Sequence, residues 1–314
     1  MAHIIVALNV VLPVFLVIAI GWFFRWKKLI NEEFVNMAMK VIFNACLPSM
    51  LFLRVSGIDI SVILDGDALI FAGYVALMTV VIFFVARLIA KYKLKTPSQR
   101  GTFVQGSFRS NYVILGYSIL YNMFGDQIIA RMAILVIIII PLYNLLAIWV
   151  LSEGHGEERG QNLSKVFKRV VTNPLIISIF LGFVASFMKI QLPVVVNTTM
   201  SMLGSIGTPL GLLGIGGYLN FKEVHGFKDA LLASLLKVLV FPTIATLIAV
   251  LLGFTYIDAS IVFVLFGSPA AISSFIMATA LGGDGRLAAN IVIISTGISM
   301  ITFILGLTLL GAVY

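Results

Sequence analysis

The sequence predicts an all-α polytopic membrane protein. It has ten transmembrane helices in two inverted five-helix repeats, with the fourth and ninth helices broken and crossed at mid-membrane. Three observations carry this expectation. The 314 residues are 61% hydrophobic and 11% charged, with a mean hydropathy of +1.11, whereas an average soluble domain is about a quarter charged. Ten segments approach the roughly 20 apolar residues that a bilayer core of about 30 Å requires. The second half of the chain also repeats the first, prolines falling on prolines. A soluble enzyme, a secreted domain and a disordered chain are excluded, because even a 300-residue fold leaves roughly a quarter of its chain surface in water. The single cysteine, Cys46, excludes a disulfide framework and any cysteine-based metal cluster.

The ten segments run near residues 3–25, 34–55, 66–90, 100–122, 127–151, 172–188, 194–219, 229–252, 258–282 and 286–312. Residues 1–151 then form the first repeat and 172–314 the second, joined by a charged linker over 152–171. Part of that linker, LSKVFKRVV, is either an amphipathic helix on the inner leaflet or a solvated tether. The first segment is not a cleaved signal peptide, since Arg25, Lys27 and Lys28 follow its apolar run. Of the 21 Lys and Arg, 15 lie in the loops after the odd-numbered helices, and only Arg54, Arg131 and Lys189 lie on the other side. The positive-inside rule makes the crowded side cytoplasmic and places both termini outside a plasma (inner) membrane. The net charge of +8 is thereby a topology signal, and no nucleic-acid partner is needed to explain it.

The repeat appears when residues 13–48 are laid on 174–209 without gaps. Pro13 meets Pro174, Gly21 meets Gly182, Lys28 meets Lys189, Asn36 meets Asn197, Met39 meets Met200 and Pro48 meets Pro209. Further on, an offset of 158 brings Gly125-Asp126 onto Gly283-Asp284. Five helices per unit is an odd number, so the second copy must enter the membrane from the opposite face. Such inverted repeats mark secondary transporters, whose sites lie near the midplane where helices are interrupted.

Two interruptions are legible. The fourth segment carries Gly106-Ser107-Phe108-Arg109-Ser110-Asn111, too polar for lipid, and the ninth carries Gly267-Ser268-Pro269 followed by Ser273-Ser274. Ser110 falls on Ser268 and Asn111 on Pro269 at the 158 offset. Non-helical backbone at that depth needs protein or a water cavity around it; the alternative is a pair of kinked helices with no ligand role. A second matched pair holds Asn44 to Pro48 and Ser205 to Pro209. Asn44 lines a cavity or joins helices as a buried amide, while the glycines from Gly211 to Gly217 serve close packing.

Lys40, Arg109 and Lys237 are the ionisable residues placed inside spans, and all are basic. Each costs about 2.5–3.5 kcal/mol at a helix centre, so its retention needs a reason. Lys40 is close enough to the cytoplasmic end to snorkel. Lys237 is a snorkelling or interhelical group, or a charge partner of the site. Arg109 either grips a ligand or caps carbonyls freed by the break. No Asp or Glu lies deep in a span. Cations and half-helix N-termini both favour an anion, and a guanidinium holds a carboxylate through two parallel hydrogen bonds. The expected substrate is a small organic anion. The expected contacts are Arg109, Asn111, Asn44, Ser110, Ser268, Pro269 and Ser273, with hinges at Asn111, Gly116, Gly267, Pro269, Pro48 and Pro209. No cofactor or metal is implied; coupling to protons or sodium stays open. His3, His155 and His225 fall at the terminus or in loops, and HExxH, GxSxG and Walker-type motifs are absent, which argues against an enzyme.

These residues together resemble the auxin efflux carrier family, in particular its bacterial malate- or malonate-permease-like members. The likeness rests on Leu12-Pro13 with Gly21, Asn44 with Leu47-Pro48, Arg109-Ser110-Asn111 with Gly116, Thr172-Asn173-Pro174, and Ser268-Pro269-Ala270. It implies a fold like that of the NhaA antiporter and the bile-acid transporters. Helices 1, 2, 6 and 7 are then a scaffold, and helices 3–5 and 8–10 a transport unit moving as an elevator, often in a homodimer. Asn111 matches the family's crossover asparagine, which implies ligand contact. Two departures stand out. Gly116-Tyr117 replaces the common Gly-x-Pro, and the acid–lysine pair that plant members carry near helix 3 has no counterpart here. A sodium-coupled bile-acid-type transporter and a ligand-sensing or channel module are the alternatives.

Overall fold

A computed structural model describes residues 2–57, 66–152, 172, 174–218 and 227–314, and all its regular elements are helical. They are α1 (Ala2–Trp26), α2 (32–56), α3 (Gly66–Lys93), α4 (Pro97–Phe108), α5 (112–124) and α6 (Ile129–Ser152). Next come α7 (Pro174–Phe187), α8 (Val194–Tyr218), α9 (227–251), α10 (Tyr256–Gly267), α11 (Ile272–Ala280) and α12 (Gly285–Val313). The helix expected over 163–171 lies outside the described residues.

Among the described residues, seven helical stretches are long and apolar enough to cross a membrane, and α7 and α10 are shorter apolar helices. The difference from ten has a physical cause. The segments read as the fourth and ninth helices are each divided into two short pieces, α4 with α5 and α10 with α11. Conversely, the stretch from Tyr112 to Leu151 is continuous enough to pass as one 40-residue span. Gly125 divides it, with a φ of 57° that an L side chain rarely adopts.

Capping chemistry is matched in the two halves. Thr96 caps α4 by accepting from the Gln99 N–H, and Thr255 caps α10 by accepting from the Asp258 N–H. Both half-helices have 12 residues. Lys28 after α1 and Lys189 after α7 have φ of 58° and 51° and are the non-glycine residues with positive φ among those described. The same hydrogen bonds surround both. Lys28 N–H donates to Arg25 O at 3.1 Å and Lys189 N–H to Ser186 O at 3.0 Å; Leu29 and Ile190 N–H reach Phe24 and Ala185 O, each at 2.9 Å. Left-handed caps of this kind satisfy the carbonyls a helix end leaves open.

Packing divides the helices into two groups. α1 and α2 pack on α8, and α7 packs on the second half of α2; α3, α4 and α6 pack together, as do α9 to α12, α5 packs on α1, α8 and α10, and α4 also meets α12 and α9. α1 touches both groups, since it packs on α12 as well as α8. The α1–α8 seam is set by small residues. A Cβ on Gly21 would stand 2.1 Å from Leu213 O, and one on Gly216 1.9 Å from Ile18 O. Backbone thus lies on backbone, the usual way for helices to gain contact where lipid competes with apolar side chains. Outward faces carry Phe180, Phe187, Val194, Val195 and Leu309, all exposed. Trp22 stacks on Trp26, and Lys27 Nζ sits 4.5 Å from the Trp26 ring centre, an arrangement suited to the headgroup zone.

An ion pair ties the first turns of two helices. Arg131 on α6 donates to Asp258 on α10, whose second oxygen accepts from Thr255 Oγ1 at 2.6 Å. Asp258 is buried, so the partner guanidinium and hydroxyl make its charge tolerable.

Gly216→Ala will lower the unfolding temperature of the purified protein in detergent, a loss of at least the about 1–3 kcal/mol typical of overpacking. Gly73→Ala, where a Cβ meets nothing within 4 Å, will leave it unchanged or higher. Equal melting of the two variants would refute the backbone seam.

Candidate functional site

α4 ends because Arg109 leaves the helix at φ −80°, ψ 120°. α10 ends because Pro269 drives the preceding residue into extended backbone, and Ser268 has φ −60°, ψ 137°. The two extended stretches meet. Ser110 and Ala270 form an isolated antiparallel bridge, and the Asn111 N–H donates to Pro269 O at 2.9 Å. Ala270 N–H is taken by Ser295 Oγ of α12 at 3.1 Å. Two of the donors freed at the interruptions, the N–H groups of Asn111 and Ala270, are thus met inside the protein, as a low-dielectric setting demands.

Side chains fasten the junction. Ser110 Oγ donates to Leu265 O and accepts from the Lys237 ammonium, which also donates to Phe266 O. Ser268 Oγ turns back to Val264 O at 2.6 Å. Gly116 permits the close approach of α5, since a Cβ there would lie 2.8 Å from Ser268 Oγ. Gly267 faces Phe303 and Pro242, where a Cβ would sit 3.2 and 3.5 Å from them.

The structure therefore sorts the expected contacts. Ser110, Ser268 and Lys237 are buried; Ser110 and Lys237 hold the crossing, and the Ser268 hydroxyl bonds within its own helix. Arg109 is half-buried, and its Nη1 donates to Met277 Sδ at 2.8 Å, a weak acceptor. No carboxylate pairs with Arg109 among the described residues. The Asn111 backbone is spent on Pro269, but no hydrogen bond of its side-chain amide is found among the described residues. Ser273 is half-buried in the first turn of α11. Asn44 is not brought here: it is exposed and its Nδ2 donates to Lys40 O at 2.8 Å, across the π turn of α2. Asn44 sits in the π turn Ile42–Cys46, where the helix is widened by one residue.

A cavity of about 400 Å³ lies beside the crossing, between α1, α2, α5 and α8. Its wall holds Tyr117, Ser118, Tyr121 and Asn122 of α5, Ser201, Ser205, Thr208 and Pro209 of α8, Pro13 of α1, and Met50 and Leu53 of α2. Tyr117 and Tyr121 stack at 5.6 Å with an interplanar angle of 15°. Of the expected hinge residues, Pro209 lines this cavity and Pro48 does not. The lining of this cavity bears no charged side chain. The polar lining was open to detection: Ser201, Ser205 and Thr208 stand at i, i+4 and i+7, one face of a helix.

A family model described as "Membrane transport protein" matches residues 6–308. The chain belongs to the auxin efflux carrier family of membrane transporters. Family members of similar length include an uncharacterized transporter of Methanocaldococcus jannaschii, 24% identical over 307 residues, covering 96% of this chain and 97% of that protein. An uncharacterized transporter of Methanothermobacter thermautotrophicus is 24% identical over 294 residues, 93% of this chain and 94% of the relative.

Ser110→Ala will lower thermal stability, by the about 1–3 kcal/mol of a buried group stripped of its partner. Asn111→Ala keeps the backbone bond to Pro269, so it will leave melting near wild type while reducing ligand-induced stabilisation in a screen of organic acids. A large melting loss in Asn111→Ala alone would reverse these roles.

Proposed function

We propose that this transporter carries small organic anions, of the malate and malonate size class, by alternating access without nucleotide hydrolysis. One observation carries the reading. At the crossing of two interrupted helices, Arg109 presents a guanidinium with no acidic partner among the described residues, its one hydrogen bond there going to a methionine sulfur. A cation retained near mid-membrane with donors to spare is matched to a carboxylate. The neutral cavity supplies hydroxyls and an amide for the remaining oxygens.

The mechanism follows from the two packing groups. α1, α2, α7 and α8, seamed by glycine, act as scaffold; α3 to α6 and α9 to α12 form the moving unit, with the cavity at the boundary between them. Ten spans in two inverted units are supported by the twin lysine caps and the two Thr-capped half-helices. The cavity lies along the helix halves that the basic-loop count assigns to the outside, so the access in this conformation is from that side. A homodimer through the exposed apolar faces completes the proposal.

The stacked tyrosine pair favours a second reading, an amphipathic monoacid with a planar body. Uptake into proteoliposomes separates the two. Arg109→Ala will reduce uptake of every transported acid about tenfold or more, from loss of a charge-assisted bond worth about 1.5–3 kcal/mol. Tyr117→Ala will impair only acids with a planar apolar body. Undiminished uptake in Arg109→Ala would remove the basis for an anionic substrate.

A further inference from the structure

The C-terminal end of a half-helix presents carbonyl oxygens without helical donors, at the negative pole of its dipole. In lipid these oxygens need a cation or strong donors, and transporters with interrupted helices use such ends to coordinate sodium or protons. α10 ends in this way. The carbonyls of Leu265, Phe266 and Ser268 converge with the Ser110 hydroxyl at the crossing, the Ser110–Ser268 distance being 3.4 Å. This is a neutral set of hard oxygen donors, suited to a hard monovalent cation.

The cation present is part of the chain. Lys237 is 1% exposed and donates to Ser110 Oγ and Phe266 O. It projects from the π turn Leu236–Val240 within α9, a distortion often found at functional sites. The ion pairs between side chains of described residues use other cations, Arg25 with Glu32 and Arg131 with Asp258, so no carboxylate neutralises Lys237 there. At the 158 offset Lys237 falls on Thr79, whose hydroxyl only turns back to Val75 O at 2.8 Å. The charge is thus built into one repeat and lacking from the matching place in the other. A structural ammonium would be expected to find a carboxylate; one surrounded by carbonyls and a hydroxyl stands where a free ion would.

We infer that Lys237 is a tethered cation occupying a monovalent-cation site at the end of α10, so that the crossing is held without bound sodium. Deleting the side chain opens that site to a small free cation. The inference concerns the crossing and not the cargo, and its readout is thermal, so it stands or falls separately from the organic-anion reading.

The test is the melting temperature of the full chain in lipid nanodiscs, in sodium, potassium, methylammonium or choline chloride at equal ionic strength. Wild type will melt alike in all four. Lys237→Ala will melt several degrees lower in choline and recover saturably with methylammonium or sodium, as mass action on a folded-state site requires. Lys237→Met, which refills the space without charge, will not recover. Should Lys237→Ala fold poorly in choline, purification in methylammonium decides: folded protein there alone supports the site, and none in either salt overturns it. A saturable rise of wild-type melting in sodium over choline overturns it too, as does a Lys237→Ala response no greater with methylammonium or sodium than with choline.

Discussion

Everything in this fold depends on satisfying backbone polar groups where no water reaches. Two helices, α4 and α10, stop inside the protein, and each stop frees N–H and C=O groups that would cost several kcal/mol apiece in hydrocarbon. The chain resolves this by making each interruption the partner of the other. Asn111 gives its N–H to Pro269, Ser110 bridges Ala270, and Ser295 receives the remaining amide. Pro269 contributes by having no donor to satisfy and by forcing Ser268 out of the helix. Because each break is tolerable only beside the other, neither can move far alone.

Much of this was legible in the sequence, and for identifiable reasons. Polar residues at Ser107 to Asn111 and the Gly267-Ser268-Pro269 run stand out against apolar neighbours, so the positions of both interruptions could be read directly. The matched prolines, glycines and lysines signalled a duplication, and Lys28 and Lys189 prove to share one backbone conformation. What one-dimensional spacing could not reveal was which side chains the crossing consumes. The hydroxyls of Ser110 and Ser268, both polar and deep, donate to carbonyls of Leu265 and Val264. The π turn that holds Asn44, and its exposure, leave no mark in the spacing of residues. The Arg131–Asp258 pair joins residues 127 positions apart, and no local pattern relates them.

The chemistry is divided in space. Positive charge is concentrated at the crossing, in Arg109 and Lys237, whereas the neighbouring cavity is walled by tyrosines, hydroxyls and an amide. α5 links the two regions, since the helix that begins at the crossing presents Tyr117 and Tyr121 to the cavity one and two turns later. The two regions thus differ in kind, one charged and closed by hydrogen bonds, the other neutral and open enough to form a cavity.

The clamp between Arg131 and Asp258 has a mechanical consequence. α6 and α10 lie in opposite halves of the chain, yet a buried carboxylate fastens one to the other. Pulling them apart would strand that charge in a low-dielectric surrounding, so thermal motion finds the separation prohibitive. α6 and α10 are thereby held as one body, so any rearrangement has to carry both helices together.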